Sequence, residues 1–271
     1  MLSALLHINS TDIQKAAADI KGGAANYHLW HLLAWQEIKQ RYRRSTLGHL
    51  WLAVSMIVSL TTMGVLVTYL FNHSFERFIP YLCASLVFWQ FMQGILNEGS
   101  TCLIQAQTWI MQIERPLFTY VMQMLWRNVI ALGHNALVFV AVSILFTQVP
   151  NANILWAFVA FPLALLAIGW MGLLVAILSA RFRDIPVMLQ NAVAVLFWVT
   201  PIVYFPDQLG DRRFIVDLNP FSHILILFRA PFLGEAPSPD NWLWVGTIAV
   251  LGWAGTLLVF ARFRSRVPYW L

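Results

Sequence analysis

The chain has 271 residues, 59% hydrophobic and 11% charged, with a mean hydropathy of +0.68. Soluble domains carry about 25% charged residues, so this composition excludes a disordered chain, a coiled coil and an ordinary cytosolic enzyme. Two cysteines, Cys83 and Cys102, are too few for a disulfide scaffold. The 17 basic residues outnumber the 12 acidic ones, and they cluster along the chain in a way that speaks of membrane orientation and not of a nucleic-acid partner.

Residues 1–27 are mixed and polar, ending in the pair Gly22–Gly23, which reads as flexible. They lack the apolar centre and cleavage site of a signal peptide and are expected to be a cytoplasmic segment. Residues 28–46 form a helical pattern too polar to span a bilayer. Ala34, Trp35, Ile38 and Tyr42 fall on one face, and Gln36, Glu37, Gln40, Arg41 and Arg44 on the other, with Lys39 and Arg43 adding charge. This predicts an amphipathic helix at the membrane interface, although Leu29 and Leu33 fall on its polar side.

From residue 47 to 271 the chain reads as an all-α integral membrane domain of six spans. Uncharged runs of about 20 residues mark transmembrane helices; here the spans are expected at about 47–71, 79–96, 117–149, 154–180, 185–205 and 242–260. Basic clusters before the first span, after the fourth and in the tail then share one side, which places both termini in the cytoplasm. The polar connection 206–241 contains an apolar run, Phe221–Phe232, between Pro220 and Pro231. It is too short to cross and is expected to be re-entrant or interfacial.

Catalytic and nucleotide motifs are missing. There is no G-x-x-x-x-G-K-[ST] loop, no H-E-x-x-H and no G-x-S-x-G, and the seven histidines form no convergent ligand set, so neither a metal nor a catalytic site is expected. Arg127 and His134 are the polar interruptions of the third span, and no acidic residue falls in the middle of any expected span. Arg127 is expected to face the cytoplasmic boundary or to pair within the bundle. With no buried carboxylate to couple to an ion gradient, secondary active transport loses weight. Aromatic clusters at Phe88, Trp89 and Phe91, and at Phe197, Trp198, Tyr204 and Phe205, either line a pathway for an amphipathic polymer or serve as lipid anchors and packing groups.

Four motifs, in order, carry a family resemblance: RYRRSTLGHLW at 41–51, RFRDIP at 181–186, TPIVY at 200–204 and Asn219–Pro220. With this topology the chain resembles the ABC-2-type permeases that export polysaccharides, in particular those moving lipid-linked O-antigen, with capsule and teichoic-acid exporters as cousins. The resemblance implies a homodimer working with two copies of a separate ATPase, which would bind ATP and magnesium while this chain binds no cofactor. It also implies a lipid-linked glycan substrate and a bacterial inner-membrane location. A coupling helix would lie in 97–116, with Gln112, Glu114, Arg115 and Pro116 at its turn. Residues 206–241, including Asn219 and Pro220, would form short gate helices on the periplasmic side. Arg181 and Arg183 either anchor topology or contact anionic substrate, and Asp184 caps the next helix. A drug or small-lipid exporter of the same family is the alternative, and a membrane-embedded glycan-modifying enzyme is the reading from a different class.

Overall fold

The computed structural model describes residues 9–41, 43, 48, 50–71, 74–147 and 151–271. Among them the fold is helical without strands. The elements are α1 (Ser10–Ala25), α2 (Tyr27–Arg41), α3 (Leu50–Phe71), α4 (Phe75–Gln105), α5 (Gln107–Gln112), α6 (Phe118–Leu145), α7 (Ala157–Arg181), α8 (Ile185–Val199), α9 (Phe214–Asp217), α10 (Pro220–Phe232), α11 (Pro239–Phe263) and α12 (Val267–Trp270). A 3₁₀ turn, Ala152–Trp156, leads into α7, and further 3₁₀ turns lie at Pro206–Arg212 and Arg264–Arg266.

Among the described residues, five helical segments are long and apolar enough to cross a membrane: Leu50–Leu70, Phe75–Gln105, Phe118–Leu145, Ala152–Arg181 and Pro239–Trp270. The chain is therefore a multi-pass membrane protein. The run expected at 185–205 is shorter as a helix, because α8 stops at Val199 and Thr200 is extended. The cause is Pro201, which lacks a backbone N–H and disfavours the helical conformation in the residue before it.

Helix α4 is the axis of the bundle, buried along nearly its whole length and packed by α6, α7, α3, α8 and α10. It runs nine residues beyond the expected end at Leu96, so Glu98 lies within a spanning helix. It packs tightly on α7, whose buried face includes Ala160, Ala164, Ala167, Gly172, Ala176 and Ala180. Small residues let helix backbones approach closely, the main packing device available where lipid is as apolar as leucine. The closest approach is at Gly99, where an added Cβ would stand 3.1 Å from the Gly172 Cα and carbonyl oxygen. Gly99→Leu is expected to separate α4 from α7 and to cost about 3 kcal/mol, in the range of overpacked cores. Thermal unfolding in detergent checks this, with Ser replacement of the exposed Gly255 as control.

Two ends of the bundle can be told apart. At one, α1 meets the start of α6 and the Arg264 tail, and Arg183 donates to the Leu271 carbonyl at 2.8 Å. This is the basic end. At the other, the far end, Tyr81, the 200–206 turn, α10 and the start of α11 come together.

Candidate functional site

The segment expected to be an amphipathic helix is helical as α2, although Trp35 of its apolar face is exposed. Ala34 and Ile38 are buried as expected. Gln36, Gln40 and Arg41 of the polar face are exposed, but Glu37 is half-buried and reaches into the bundle. There Arg127 of α6 donates to Glu37 through Nη1, and to Glu98 of α4 through Nε and Nη2, both at 2.8 Å. Gln123 Nε2 donates to the other Glu37 oxygen at 2.6 Å, Asn128 Nδ2 to Glu98 at 2.9 Å, and Arg41 lies 3.5 Å from the remaining Glu98 oxygen. Arg127 thus pairs within the bundle, one of the two places expected for it, while only 9% of its side chain is exposed. It stands nine residues into α6, about 14 Å along the axis. A guanidinium there is tolerable because two carboxylates accept from it, and those carboxylates are in turn held by the amides of Gln123 and Asn128.

Neither carboxylate was legible as its partner. Hydropathy treats Glu98 as the end of a span and Glu37 as surface; the usable signal is that Arg127 needed acids to be buried at all. The polar ladder continues outward with Asn135 Nδ2 donating to Gln90 Oε1 at 2.8 Å. Leu29 and Leu33, the misfits on the polar side of α2, line a cavity of about 410 Å³ between α2, α4, α5 and α6. Arg115, Tyr120 and Arg127 line it too, and the buried Tyr120 hydroxyl has no hydrogen-bond partner among the described residues. The cavity offers hydrogen-bond donors and aromatic edges.

The 97–116 connection is shorter than expected, since α4 takes its first half. What remains is α5, with no buried residue, then Ile113–Pro116. Gln112 and Glu114 are exposed, as are Trp109 (58%) and Met111 (59%). Arg115 and Pro116 are half-buried. Pro116 sits one residue before the capping position Leu117, not in the first turn of α6. Of the other residues in this region, Lys39 lies over the Trp35 ring at 5.5 Å and Arg43 is exposed. Tyr42 and Arg44 fall outside the described residues, as does most of the 41–51 motif.

Between α7 and α8, Arg181 stacks over Trp270 at 5.0 Å and Arg183 is held by the Leu271 carbonyl. Both arginines therefore tie the C-terminal tail to this turn. Asp184 occupies the capping position of α8, but its side chain makes no capping bond.

The aromatic residues divide. Phe88 is fully buried and stacks on Phe228 at 4.0 Å. Trp89 is buried, donates to Gln93 at 3.0 Å and meets Phe197 edge-on. Trp198 points outward, 64% exposed, whereas the Tyr204 hydroxyl folds back to the Val199 carbonyl at 2.8 Å. Trp198 and Tyr204 do not share a face. Reading for aromatics passed over two amides: Gln190 and Asn191 are both exposed on the otherwise apolar α8. An exposed amide pair in the middle of an apolar helix requires water or a partner.

At the far end, α10 coincides with the apolar run between Pro220 and Pro231 and is buried on most of its surface. Asn219 caps it, accepting from Phe221 N at 3.0 Å and donating to Thr200 Oγ1 at 3.1 Å; Pro220 fills the first helical position, where no N–H is required. The helix ends in a Schellman turn on Gly234 (φ 79°), with Glu235 N donating to the Ala230 carbonyl. His223 is held between Asn241 Oδ1 and the Asp217 carbonyl, each at 2.8 Å, a structural position.

Comparison with known proteins agrees with this architecture. Residues 28–233 match the family model described as ABC-2 type transporter. The chain is 20% identical over 239 residues to a protein of Myxococcus xanthus named O-antigen export system permease protein RfbA, covering 85% of this chain and 90% of that one. A Klebsiella pneumoniae protein of the same name is 22% identical over 242 residues, covering 85% and 88%. The apolar helical bundle and a family match across most of its length place the chain in the ABC-2 type transporter family, as a membrane component of a transporter and not a catalytic subunit.

Proposed function

We propose that the chain is the permease of an ATP-driven exporter that carries lipid-linked O-antigen polysaccharide across the bacterial inner membrane to the periplasm. The observation that carries this reading is the family membership together with relatives named as O-antigen export permeases that match over nearly their whole length. In this reading two copies of the chain meet along α3 and α8, whose surfaces are the least covered of the apolar helices. Gln190 and Asn191 then wet the polymer path. The sixth crossing is α8 extended by the 200–204 turn, which carries the chain from Arg183 at the basic end to Tyr81 at the far end. Both termini lie in the cytoplasm. Helix α10 with the 206–213 segment closes the periplasmic mouth.

The ATPase docks on α5 and the Glu114–Arg115 turn. Support comes from Trp109 and Met111, two large apolar side chains exposed on a six-residue helix at the basic end; such a knob suits a groove in a partner protein.

Deleting the gene in its host and following lipid-linked glycan tests the reading. Cytoplasmic accumulation with loss of surface glycan is expected, restored by the wild-type chain and poorly restored by Glu114→Ala/Arg115→Ala at matched protein level. Normal surface glycan in the deletion strain overturns it. A second measurement addresses the path. Gln190→Cys and Asn191→Cys, made after replacing Cys83 and Cys102 by Ala, are expected to react with a membrane-impermeant thiol reagent at least as fast as Val187→Cys, an exposed neighbour on the same helix. Labelling by lipid-soluble reagents alone removes α8 from the path.

A further inference from the structure

Arg229 of α10 is buried, with 5% exposure, yet no carboxylate among the described residues comes within 4.0 Å of it. Its guanidinium lies 4.0 Å above the Tyr81 ring. Nη1 donates to Ser85 Oγ at 2.7 Å and to the Pro201 carbonyl at 2.8 Å. Among the described residues no acceptor engages Nε or Nη2. A buried guanidinium is costly without a counter-charge, and a cation–π contact offsets only about 2 kcal/mol of that. The contrast with Arg127, which carries two carboxylates, is internal to the same bundle.

The Arg229 side chain forms part of the wall of a cavity of about 480 Å³ at the far end, between the start of α4, the 205–213 segment, α10 and residues 235–241. Arg77 and Arg213 line the same cavity, as do Asp207 and Glu235, so three positive groups face two negative ones. Asp207 is already paired with Arg213 at 3.1 Å. Asp217 also lies 3.6 Å from Arg213, so Arg213 reaches an anion while holding its own carboxylates, and Arg229 and Arg77 stand against Glu235.

We propose that this cavity is a binding site for a phosphate-class oxyanion, with Arg229 donating from its wall and Arg77 and Arg213 completing it. A guanidinium presents a planar fork of donors that matches phosphate oxygens two at a time. The volume exceeds what a lone carboxylate would fill, and the aromatic rings of Tyr81 and Phe205 on the wall suit the apolar neighbourhood of a phosphate attached to a lipid. The anion is either the headgroup of a lipid at the far-side membrane surface or free phosphate. The proposal rests on the far-end geometry and stands apart from the glycan-export reading.

The test uses the purified full chain in phosphatidylcholine nanodiscs, titrated with inorganic phosphate against sodium chloride at equal ionic strength, with thermal unfolding as readout. In a second arm, nanodiscs containing phosphatidylglycerol are compared by native mass spectrometry for retained lipid. Saturable stabilisation by phosphate identifies a free-anion site; selective retention of phosphatidylglycerol identifies a headgroup site. Either response should weaken about tenfold or more in Arg229→Lys, which keeps the charge and loses the fork. Should that variant fold poorly, Arg77→Gln/Arg213→Gln, at exposed rim positions, is expected to weaken binding, and Glu235→Gln to tighten it. The proposal is overturned if wild type distinguishes neither phosphate from chloride nor phosphatidylglycerol from phosphatidylcholine. It is equally overturned if the rim and Glu235 variants bind as wild type does.

Discussion

Arg127→Met should destabilise the bundle by about 3–5 kcal/mol, the cost of leaving one side of a buried ion pair unmatched. The loss is large because two carboxylates are stranded together. Glu37 and Glu98 both receive the Arg127 guanidinium, and without it they keep only the amides of Gln123 and Asn128 and, for Glu98, the exposed Arg41 at 3.5 Å. Like charges held close together repel, so one carboxylate is driven to swing out and the packing around it is lost. Methionine fills most of the arginine volume without donors, so the effect reads charge and not a cavity. Adding Glu98→Gln and Glu37→Gln to the same chain should recover most of the loss, because a neutral polar cluster no longer needs a cation. Thermal unfolding of the single and triple variants in one detergent checks both. A single variant as stable as wild type would sink the account, as would a triple variant no better than the single.

The bundle was legible because its cause is compositional. Long uncharged runs have few stable solutions other than spanning helices, and four of the five long helices both begin and end within a few residues of where those runs do. The short apolar run between two prolines likewise emerged as α10, since proline at each end restricts where a helix begins and stops. Failures came where a charge was taken as a boundary. Leu96 looked like an end because Glu98 follows, but a carboxylate bound by a guanidinium and an amide is no longer a group that must reach water. Pairing between helices distant in sequence is invisible to any window along the chain.

The candidate site was legible in outline only. Trp89 and Phe197 do meet, yet Trp198 and Tyr204 go separate ways because the helix ends between them. Arg229, Gln190 and Asn191 drew no attention, since each is one polar residue or a pair in an apolar stretch whose meaning depends on which face is covered. The family match ends at residue 233 and begins at 28, so α1 and the Arg264 tail lie outside it, and there the sequence was read least well.

Helix α1 reads as a polar leader with a flexible end, and the structure makes it a clamp. The Asp19 carboxylate is fully buried and accepts from Phe118 N at 3.0 Å, Leu117 N at 3.2 Å and Arg264 Nε at 2.5 Å. It thereby satisfies two N–H groups at the start of α6 and pairs the tail, acting across the fold as a capping residue does within a helix. Gly22–Gly23 is not a hinge but the contact surface. A Cβ at Gly23 would stand 2.8 Å from Phe118 Cβ and from Thr119 N, and one at Gly22 would stand 3.3 Å from Pro116. Asp19→Ala should therefore cost about 3 kcal/mol, the loss of a charge-assisted, buried acceptor shared by three donors. Gly23→Val should have a similar effect by pushing α1 off the bundle without touching a charge. The damage is expected to be local. Hydrogen exchange should show the amides of α1 and of residues 117–121 losing protection while those of α4 and α7 keep it. Asp19→Asn, which keeps an acceptor but loses the ion pair with Arg264, should fall between wild type and Asp19→Ala. If α1 stays protected in both Asp19→Ala and Gly23→Val, it is held by something other than this contact. If α4 loses protection together with α1, the helix is part of the bundle's cooperative core and not a clamp on its basic end.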